Sequence, residues 1–320
     1  MKNSFKVNLS LLLMALLILT TFTGCLTANG PDETSGEAPG ETSLEYEGDE
    51  AGLDYPMTII DDAGRTVVIE EEPETIVSIM ASNTEILFAL GLGHKVIGVT
   101  EHCYYPEEAR EKEKIGDFTT NIEKVVSLDP DLVLCSRGQV EQAKDLTQFG
   151  YTCLLLDPKT LEETMDSIKM VGRATNTCEK SLEITQEMSR ELEEIKAFTQ
   201  DLKEEDRPTV FILIDTEQLY STGKNTFLNH MIETAGGTNI AGDIESDWPV
   251  LSEEMIFEED PDYIFCTFPI KEEVMARENW QDLKAVKNNQ VYNVDNDMVS
   301  RPGPRVISGL RQLFDILHPQ

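Results

Sequence analysis

The chain has 320 residues, and 60 acidic against 26 basic side chains give it a formal net charge of −34. A charge of this sign and size excludes binding to nucleic acid, or to an anionic lipid surface, through electrostatic attraction. About 265 residues follow the N-terminal segments described next, which is enough for two modest lobes.

The first 25 residues have the pattern of an export signal. Lys2 and Lys6 precede an apolar run from Leu11 to Leu19, which is too short for a standing transmembrane helix. Small residues then lead to Cys25, as in the cleavage motif of exported lipoproteins, although Phe22 stands where that motif usually has Leu. The pattern predicts a lipoprotein-type signal peptide over residues 1–25 and a lipid on Cys25. An ordinary cleaved signal is the alternative.

Residues 26–55 are acidic and contain neither Lys nor Arg. Nine Asp and Glu side chains are interleaved there with Gly, Pro, Ser and Thr. Such a segment cannot bury enough apolar surface to offset the entropy of ordering. It is predicted to be a flexible tether that holds the folded part away from the membrane, which only the lipid would contact.

From residue 56 onward, strand and helix patterns alternate. A hairpin is predicted over 58–69 with its turn at 62–64, followed by a helix that Asn83 caps and Gly91 ends. Apolar runs without period-two alternation are typical of strands that are covered on both faces. These runs are 75–79, 96–99, 132–134, 153–156, 210–214, 263–265 and 291–294. They predict an α/β fold with mostly parallel sheets.

A 15-residue stretch occurs twice. Residues 122–136 align without a gap to residues 253–267, which pairs Glu123 with Glu254 and the run Asp129-Pro130-Asp131 with Asp260-Pro261-Asp262. Two copies at this distance are too few for a repeat solenoid. They indicate two similar lobes with a cleft between them.

The most helical stretch lies between the copies, since no Gly or Pro occurs from Ala174 to Arg207. About 26 residues of helix would span roughly 39 Å, the length of a lobe. This helix is expected to be a stiff connection that limits closure. The predicted boundaries are an N-terminal lobe over 56–163, linking helices over 164–206 and a C-terminal lobe over 207–320. The last lobe should end in a helix from Val306 to Leu317, with Ile307 and Leu310 on its buried face.

Five cysteines follow Cys25, and none belongs to a Cys-x-x-Cys pair: Cys103, Cys135, Cys153, Cys178 and Cys266. An odd number without close pairs is typical neither of a disulfide framework nor of a zinc cluster. Three of them, Cys135, Cys153 and Cys266, fall in or beside strands, where Cys usually acts as a small buried hydrophobe. Whether any two form a disulfide stays open.

In combination, several motifs resemble the iron-chelate and cobalamin substrate-binding proteins of ABC importers. The matching runs are 77–91, 96–99, 105–106, Ile115-Gly116-Asp117-Phe118, 121–123, 128–133, Tyr220-Ser221-Thr222-Gly223, 248–249, 252–254 and Arg301-Pro302-Gly303-Pro304-Arg305. The resemblance covers residues 56–318. It implies two Rossmann-like lobes joined by one long rigid backbone helix, with the ligand between them.

The resemblance also implies roles for individual residues. Glu123 and Glu254 match the acids that dock each lobe onto arginines of the permease dimer. The cleft positions, which are aromatic in cobalamin-binding members, hold His102, Phe118, Ser136, Tyr220 and Trp248, so the expected aromatic rings are missing at His102 and Ser136. Asp297 and Arg301 match polar positions near the cleft mouth. Arg137 could meet a carboxylate of an iron chelate, and His102 could ligate a metal within the ligand.

The predicted function is therefore that of an exported, lipid-anchored, monomeric receptor that delivers a corrinoid (cobalamin-like) or ferric chelate to an ABC permease. A separate ATPase would power transport, because the chain has no Gly-x-x-x-x-Gly-Lys-[Ser/Thr] loop. No cofactor or resident metal is expected. The alternatives are a receptor for haem or a free metal ion, for which four scattered His make a poor cage, and an exported enzyme, which lacks a His-Glu-x-x-His or Gly-x-Ser-x-Gly motif.

Overall fold

A computed structural model describes residues 54–319. The predicted signal peptide, Cys25 and all but the last two residues of the predicted tether lie outside the described residues. Within them the chain begins with the expected hairpin of β1 (Met57–Ile60) and β2 (Thr66–Ile69), which pair antiparallel. Ile59 lies opposite Val67 and both are buried, so the hairpin adds one apolar face to the core.

The N-terminal lobe is built on a parallel sheet of five strands in the order β5-β4-β3-β6-β7. The strands are β3 (Ile76–Ser78), β4 (Val96–Val99), β5 (Glu113–Lys114), β6 (Leu132–Ser136) and β7 (Cys153–Leu156). The helices are α1 (Ala81–Ala89), α2 (Ile122–Leu128), α3 (Val140–Gln148) and α4 (Leu161–Ala174). Leu132 and Leu134 enter one apolar cluster and Val133 and Cys135 the other, so β6 is covered on both faces, as its sequence predicts.

The C-terminal lobe has a second parallel sheet, in the order β11-β10-β8-β9. Its strands are β8 (Thr209–Leu213), β9 (Thr238–Asn239), β10 (Tyr263–Cys266) and β11 (Val291–Asn293). Its helices are α6 (Phe227–Thr234), α7 (Glu253–Glu259), α8 (Lys271–Ala276), α9 (Lys284–Lys287), α10 (Asn296–Ser300) and α11 (Val306–Leu317). The bounds of α11 are those expected from its apolar spacing. The α/β class with two Rossmann-like lobes is confirmed.

One helix, α5 (Cys178–Thr199), joins the lobes. It has 22 residues and spans roughly 33 Å, shorter than expected because Asn176, in the left-handed conformation, separates it from α4. It packs against α4 on one side and against α6 and α11 on the other. An ion pair between Lys196 and Glu162 fastens it to the N-terminal lobe, and one between Arg311 and Glu191 (2.9 Å) fastens it to the C-terminal lobe.

The repeated stretch has a structural explanation. Asp129 and Asp260 end α2 and α7 in the left-handed conformation, with φ of 50° and 38°. Two residues later, the Asp131 carboxylate accepts hydrogen bonds from the backbone N–H and hydroxyl of Thr75. Asp262 accepts the same pair from Thr209. The Asp-Pro-Asp run therefore stops a helix and ties the following strand to its neighbour in both lobes.

The role expected for Asn83 is wrong. α1 begins at Ala81, after Met80, and Asn83 is buried inside the helix, where its amide donates to the carbonyl of Cys135 (3.0 Å). Gly91, at φ 81°, does follow the end of α1, as predicted.

The five described cysteines, Cys103, Cys135, Cys153, Cys178 and Cys266, are free thiols. Cys135, Cys153 and Cys266 are buried among apolar side chains, as predicted. Between residues 54 and 319, no helix is both long enough and apolar enough to cross a membrane.

Candidate functional site

A large cleft opens at the carboxyl ends of the parallel strands, where open α/β sheets bind ligands. Its volume is about 710 Å³. Chain segments that follow β3, β4, β6 and β7 form one wall. The start of α6, the loop before α7 and the end of α10 form the other. The cleft thus lies between the two lobes.

On the N-terminal wall, a tight loop presents Phe118. Gly116 has φ 135° and forms a bridge with Thr120, and a Cβ at Gly116 would overlap the carbonyl of Thr119. Only Gly fits this turn, and the turn leaves 84 % of Phe118 exposed. An aromatic side chain this exposed offers its whole face to a ligand.

His102 lies beside that ring, with the two ring centroids 4.3 Å apart. Its Nε2 is buried and lies 2.7 Å from Asp117 Oδ1. The Asp117 carboxylate therefore stands between this nitrogen and the cleft, and it would have to move aside before Nε2 could reach a ligand.

Two cations stand on the same lobe. Arg137 Nη1 lies 3.2 Å from Asp157 Oδ2, and Lys159 Nζ lies 3.0 Å from Asp157 Oδ1. The carboxylate is mostly buried and both cations are half-exposed or more, so the group carries a net positive charge on a strongly acidic protein. We call Arg137 and Lys159 the rim cations. A carboxylate or phosphate of a ligand would suit them.

The C-terminal wall presents Trp248, which is 57 % exposed. Its loop is held by backbone hydrogen bonds from Ser221 N–H to the Pro249 carbonyl (2.9 Å) and from Gly223 N–H to the Asp247 carbonyl (3.0 Å). A Cβ at Gly223 would collide with the carbonyl of Ser246, so this contact also requires Gly. Each lobe therefore fixes one exposed aromatic side chain through one glycine.

Arg301 lines the cleft from the C-terminal lobe. Its Nη2 lies 2.8 Å from Asp297 Oδ1 and donates to the Tyr104 hydroxyl at 2.8 Å. Its Nη1 is 3.5 Å from Glu85 Oε1, and among the described residues no acceptor satisfies it. Burial, followed by the hydrogen bond with Asp297, raises the pKa of Tyr104 above its ordinary value.

Comparison with known proteins agrees with this architecture. The sequence pattern of the periplasmic binding protein family matches residues 76–298. The chain belongs to this family. It is a solute-binding protein and not an enzyme.

Three relatives of this periplasmic binding protein are informative. The ABC transporter substrate-binding lipoprotein YvrC of Bacillus subtilis is 35 % identical, and the match covers 100 % of this chain and 98 % of YvrC. The structure of the vitamin B12 binding protein BtuF of Vibrio cholerae has a TM-score of 0.69 at 27 % identity, covering 77 % of this chain and 97 % of BtuF. A possible iron-binding protein of Staphylococcus epidermidis has a TM-score of 0.66 at 29 % identity, covering 78 % and 100 %.

Most of the residues expected in the binding site of this periplasmic binding protein do lie together. The cleft lining includes His102, Phe118, Ser136, Arg137, Trp248 and Arg301. Tyr220 and Asp297 are not among the lining residues. Tyr220 forms a backbone bridge with Val250 beside the Trp248 loop, and Asp297 is turned toward Arg301. Both support a lining residue.

Sequence reasoning missed several polar side chains of the lining: Asp117, Gln139, Asp157, Lys159, Asn225 and Asp247. Asp157 and Lys159 directly follow β7, whose carboxyl end adjoins that of β6. The rule that ligands bind at the carboxyl ends of parallel strands would have pointed to them.

The two acids expected to dock the permease occupy equivalent positions. Glu123 and Glu254 are the second residues of α2 and α7, and both are exposed. The caps Asn121 and Ser252 each accept from the N–H three residues later, at 3.0 and 3.1 Å. An acid in the first helical turn is favoured by the helix dipole. Neither acid lines the cleft.

The neighbouring Glu253 has a different environment from Glu254. Its carboxylate accepts from Arg277 at 2.7 Å, from the Asn279 amide at 2.9 Å and from the buried Trp280 indole at 3.1 Å. Glu253 therefore stabilises the lobe, and Glu254 is the acid that projects.

Nothing in the described part of the chain resembles a cage for a bare metal ion, because no three His, Cys, Asp or Glu side chains converge between residues 54 and 319. His102, beside the ring of Phe118, has Asp117 as its acidic neighbour.

Proposed function

We propose that this protein is an extracytoplasmic receptor that captures a corrinoid or a ferric chelate and delivers it to an ABC importer. The observation that carries this proposal is the pair of exposed aromatic side chains, Phe118 and Trp248, on opposite walls of one cleft. Leaving such faces in water forgoes the burial of up to 150–250 Å² per side chain. A broad, flat ligand would cover both.

The size and charge of the cleft favour the same class of ligand. A volume of about 710 Å³ falls in the range of sites for drug-sized or larger organic ligands. The rim cations and Arg301 could meet a carboxylate of a ferric chelate or the phosphate of a corrinoid nucleotide loop. The likeness to the vitamin B12 binding protein and to the possible iron-binding protein supports both options.

Delivery would use Glu123 and Glu254. Their exposure and matched positions suit contacts with two basic sites of a permease dimer. A lipid on Cys25 and the acidic segment 26–55 would keep the receptor near that dimer, in line with the lipoprotein YvrC. Such exposed charge pairs set the orientation and rate of encounter more than the affinity.

A haem is the second candidate ligand, because one observation favours it specifically. The His102 ring stands beside Phe118 at the cleft wall, and its Nε2 is covered by the exposed carboxylate of Asp117, which would move aside for an iron. An imidazole next to an exposed aromatic face could ligate the iron of a planar ligand.

Native mass spectrometry of the purified protein tests the proposal, followed by titration with cyanocobalamin, ferric citrate and hemin. Intrinsic fluorescence should report binding through Trp248. Since Trp280 is fully buried and hydrogen-bonded to Glu253, replacing it would disturb the lobe. The better control is Trp248→Phe, which removes the cleft indole only.

Binding of cyanocobalamin or ferric citrate that changes the emission of the unmodified protein, but not that of Trp248→Phe, supports the proposal. Saturable binding of hemin alone, lost in His102→Ala, favours the haem alternative. If calorimetry detects ligand binding to which neither Trp248 nor Phe118 contributes, this cleft is not the ligand-binding site.

A further inference from the structure

A buried ionic contact links the two lobes beside the cleft. Glu85 lies in α1 of the N-terminal lobe and is only 3 % exposed. Arg305, just before α11 of the C-terminal lobe, donates from Nε to Oε2 at 2.8 Å and from Nη2 to Oε1 at 2.7 Å. This is a two-pronged pair, which fixes direction as well as distance.

Aromatic side chains extend the contact. The Arg305 guanidinium stands 3.8 Å above the ring of Tyr105, and that of Arg301 stands 4.7 Å above the ring of Tyr104. Both tyrosines lie between β4 and β5, in the N-terminal lobe, and both arginines belong to the other lobe. Every one of these contacts therefore crosses from lobe to lobe. Glu85 raises the pKa of Arg305 further above its already high value.

The charges also depend on one another. A buried carboxylate is tolerated only when it is paired and hydrogen-bonded, and Glu85 obtains its guanidinium partners from the opposite lobe. Within residues 54–319 the backbone passes between the lobes once, through α5. The angle between the lobes is therefore set by one helix and by non-covalent contacts, of which this one is buried, charged and directional.

We propose that Glu85, Arg301 and Arg305 form an interlobe latch that holds the two cleft walls at the spacing the ligand requires. Glu85 does not line the cleft, so it acts as a positioning residue. Arg301 does line it, and its Nη1 is buried 3.5 Å from Glu85 Oε1, so it joins the cleft wall to the latch. The effect of the latch on ligand binding rests on the proposed function, whereas its effect on lobe spacing does not.

The chain offers a matched control. Asp61 is also 3 % exposed, and it accepts from Arg65 Nε at 2.9 Å and Nη2 at 2.6 Å. Both partners of that pair belong to the N-terminal lobe. Glu85→Gln and Asp61→Asn therefore each remove one buried, arginine-paired charge, but only the first removes a contact between lobes.

The measurement is the distance between spin labels on exposed residues of the two lobes, Gln148→Cys and Asn288→Cys, in a Cys178→Ser background. Glu85→Gln is expected to lengthen and broaden the distance distribution and to weaken cyanocobalamin binding at least 10-fold. Asp61→Asn is expected to lower the melting temperature while leaving the distribution, and binding within twofold, as in the parent protein. Arg305→Lys keeps the positive charge but loses the paired hydrogen bonds of the guanidinium to Glu85. It should broaden the distance distribution by an intermediate amount.

An unchanged distribution in both Glu85→Gln and Arg305→Lys would overturn the latch, as would equal broadening in Asp61→Asn. Should Glu85→Gln not fold, Arg305→Lys and the double variant Arg305→Gln/Arg301→Gln carry the same distance test. If the parent protein binds none of cyanocobalamin, ferric citrate and hemin, the proposed function fails, while the distances still decide the latch.

Discussion

The two lobes share one backbone unit but present different chemistry to the cleft. In both, a short helix ends at a left-handed Asp and the next Asp ties a strand to its neighbour. Beyond that strand the lobes diverge. β6 leads into the polar pair Ser136 and Arg137 at the cleft, whereas β10 leads to Thr267, which is buried.

The aromatic side chains of the cleft also lie outside the repeated unit. Phe118 comes from the loop before α2 and Trp248 from the loop before α7, and neither falls within the aligned stretches 122–136 and 253–267. The repeat therefore contains the framework and the two projecting acids, with Ser136 at its end, and the segments around it supply the aromatic ligand contacts. Features common to both lobes should serve a two-fold partner, and features of one lobe should serve the asymmetric ligand.

The largest expected effect tests the shared features. Replacing both Glu123 and Glu254 by Ala should reduce uptake at least about 100-fold, because two charge-assisted contacts of about 1.5–3 kcal/mol each are lost. Ligand affinity should stay within about twofold, since neither acid lines the cleft. The measurements are uptake into vesicles with the permease and calorimetric binding by the isolated receptor.

A control with the same change in net charge is Glu179→Ala/Glu187→Ala on α5, where both acids are exposed. It should transport normally. If instead the docking double variant binds ligand poorly but transports what it binds at the normal rate, the acids belong to the ligand site.

The next largest effect tests the aromatic side chains that lie outside the repeat. Trp248→Ala should weaken ligand binding by about 10–100-fold, because a large aromatic face loses its partner. Phe118→Ala should cost somewhat less, since its ring is smaller. Phe149→Ala removes an exposed Phe of the N-terminal lobe outside the cleft and should leave affinity unchanged. Equal losses at Phe149 and Phe118 in a fluorescence titration would indicate a general effect on folding.

The smallest expected effect concerns the two Asp side chains, Asp131 and Asp262, that bond a neighbouring strand in each lobe. Asp262→Asn should destabilise the protein by about 1–3 kcal/mol, and Asp131→Asn by less, because Asp131 is more exposed. Burial opposes ionisation at both sites, but hydrogen bonds outweigh it and lower the pKa of Asp131 through Thr75 and of Asp262 through Lys284 and Thr209.

A lowered pKa in the folded state stabilises it above the pKa of the unfolded chain, about 4, and this contribution is lost as pH falls through the lower, folded value. Urea unfolding should therefore give a lower free energy of unfolding for the Asn variants than for the parent protein at pH 7. At pH 3 the difference in free energy of unfolding should be smaller. A constant difference at both values would show that the charge is not responsible.

Local patterns predicted the elements well and the long-range contacts poorly. Seven sheet strands follow from continuous apolar runs, and α11 follows from apolar periodicity, signals that each segment carries in itself. The two-residue strands β5 and β9 lie outside those runs and were not predicted. Asn83 was assigned a local cap, but its amide bonds Cys135, 52 residues away. The carboxylate of Glu85 bonds Arg305, 220 residues away, and nothing in either segment indicates the other.

The candidate site shows the same limit. Phe118 and Trp248 were found through family resemblance and Arg137 from the chemistry of its side chain, whereas Lys159 was missed because it belongs to no recognised motif. Tyr220 matched a motif, but it contributes a backbone bridge beside the cleft. Sequence indicates which segments meet at the strand ends, and the side chains that turn inward are decided by the packing of the loops.

The rim cations have a consequence for the speed of ligand capture. A net charge of −34 repels an anionic chelate at long range, whereas Arg137 and Lys159 attract it only close to the cleft. Salt shortens the reach of both fields, from about 30 Å at 0.01 M to about 10 Å at 0.1 M, and so weakens the distant repulsion more than the nearby attraction. Association of an anionic ligand should therefore accelerate as moderate salt is added, while a neutral one should bind at a constant rate.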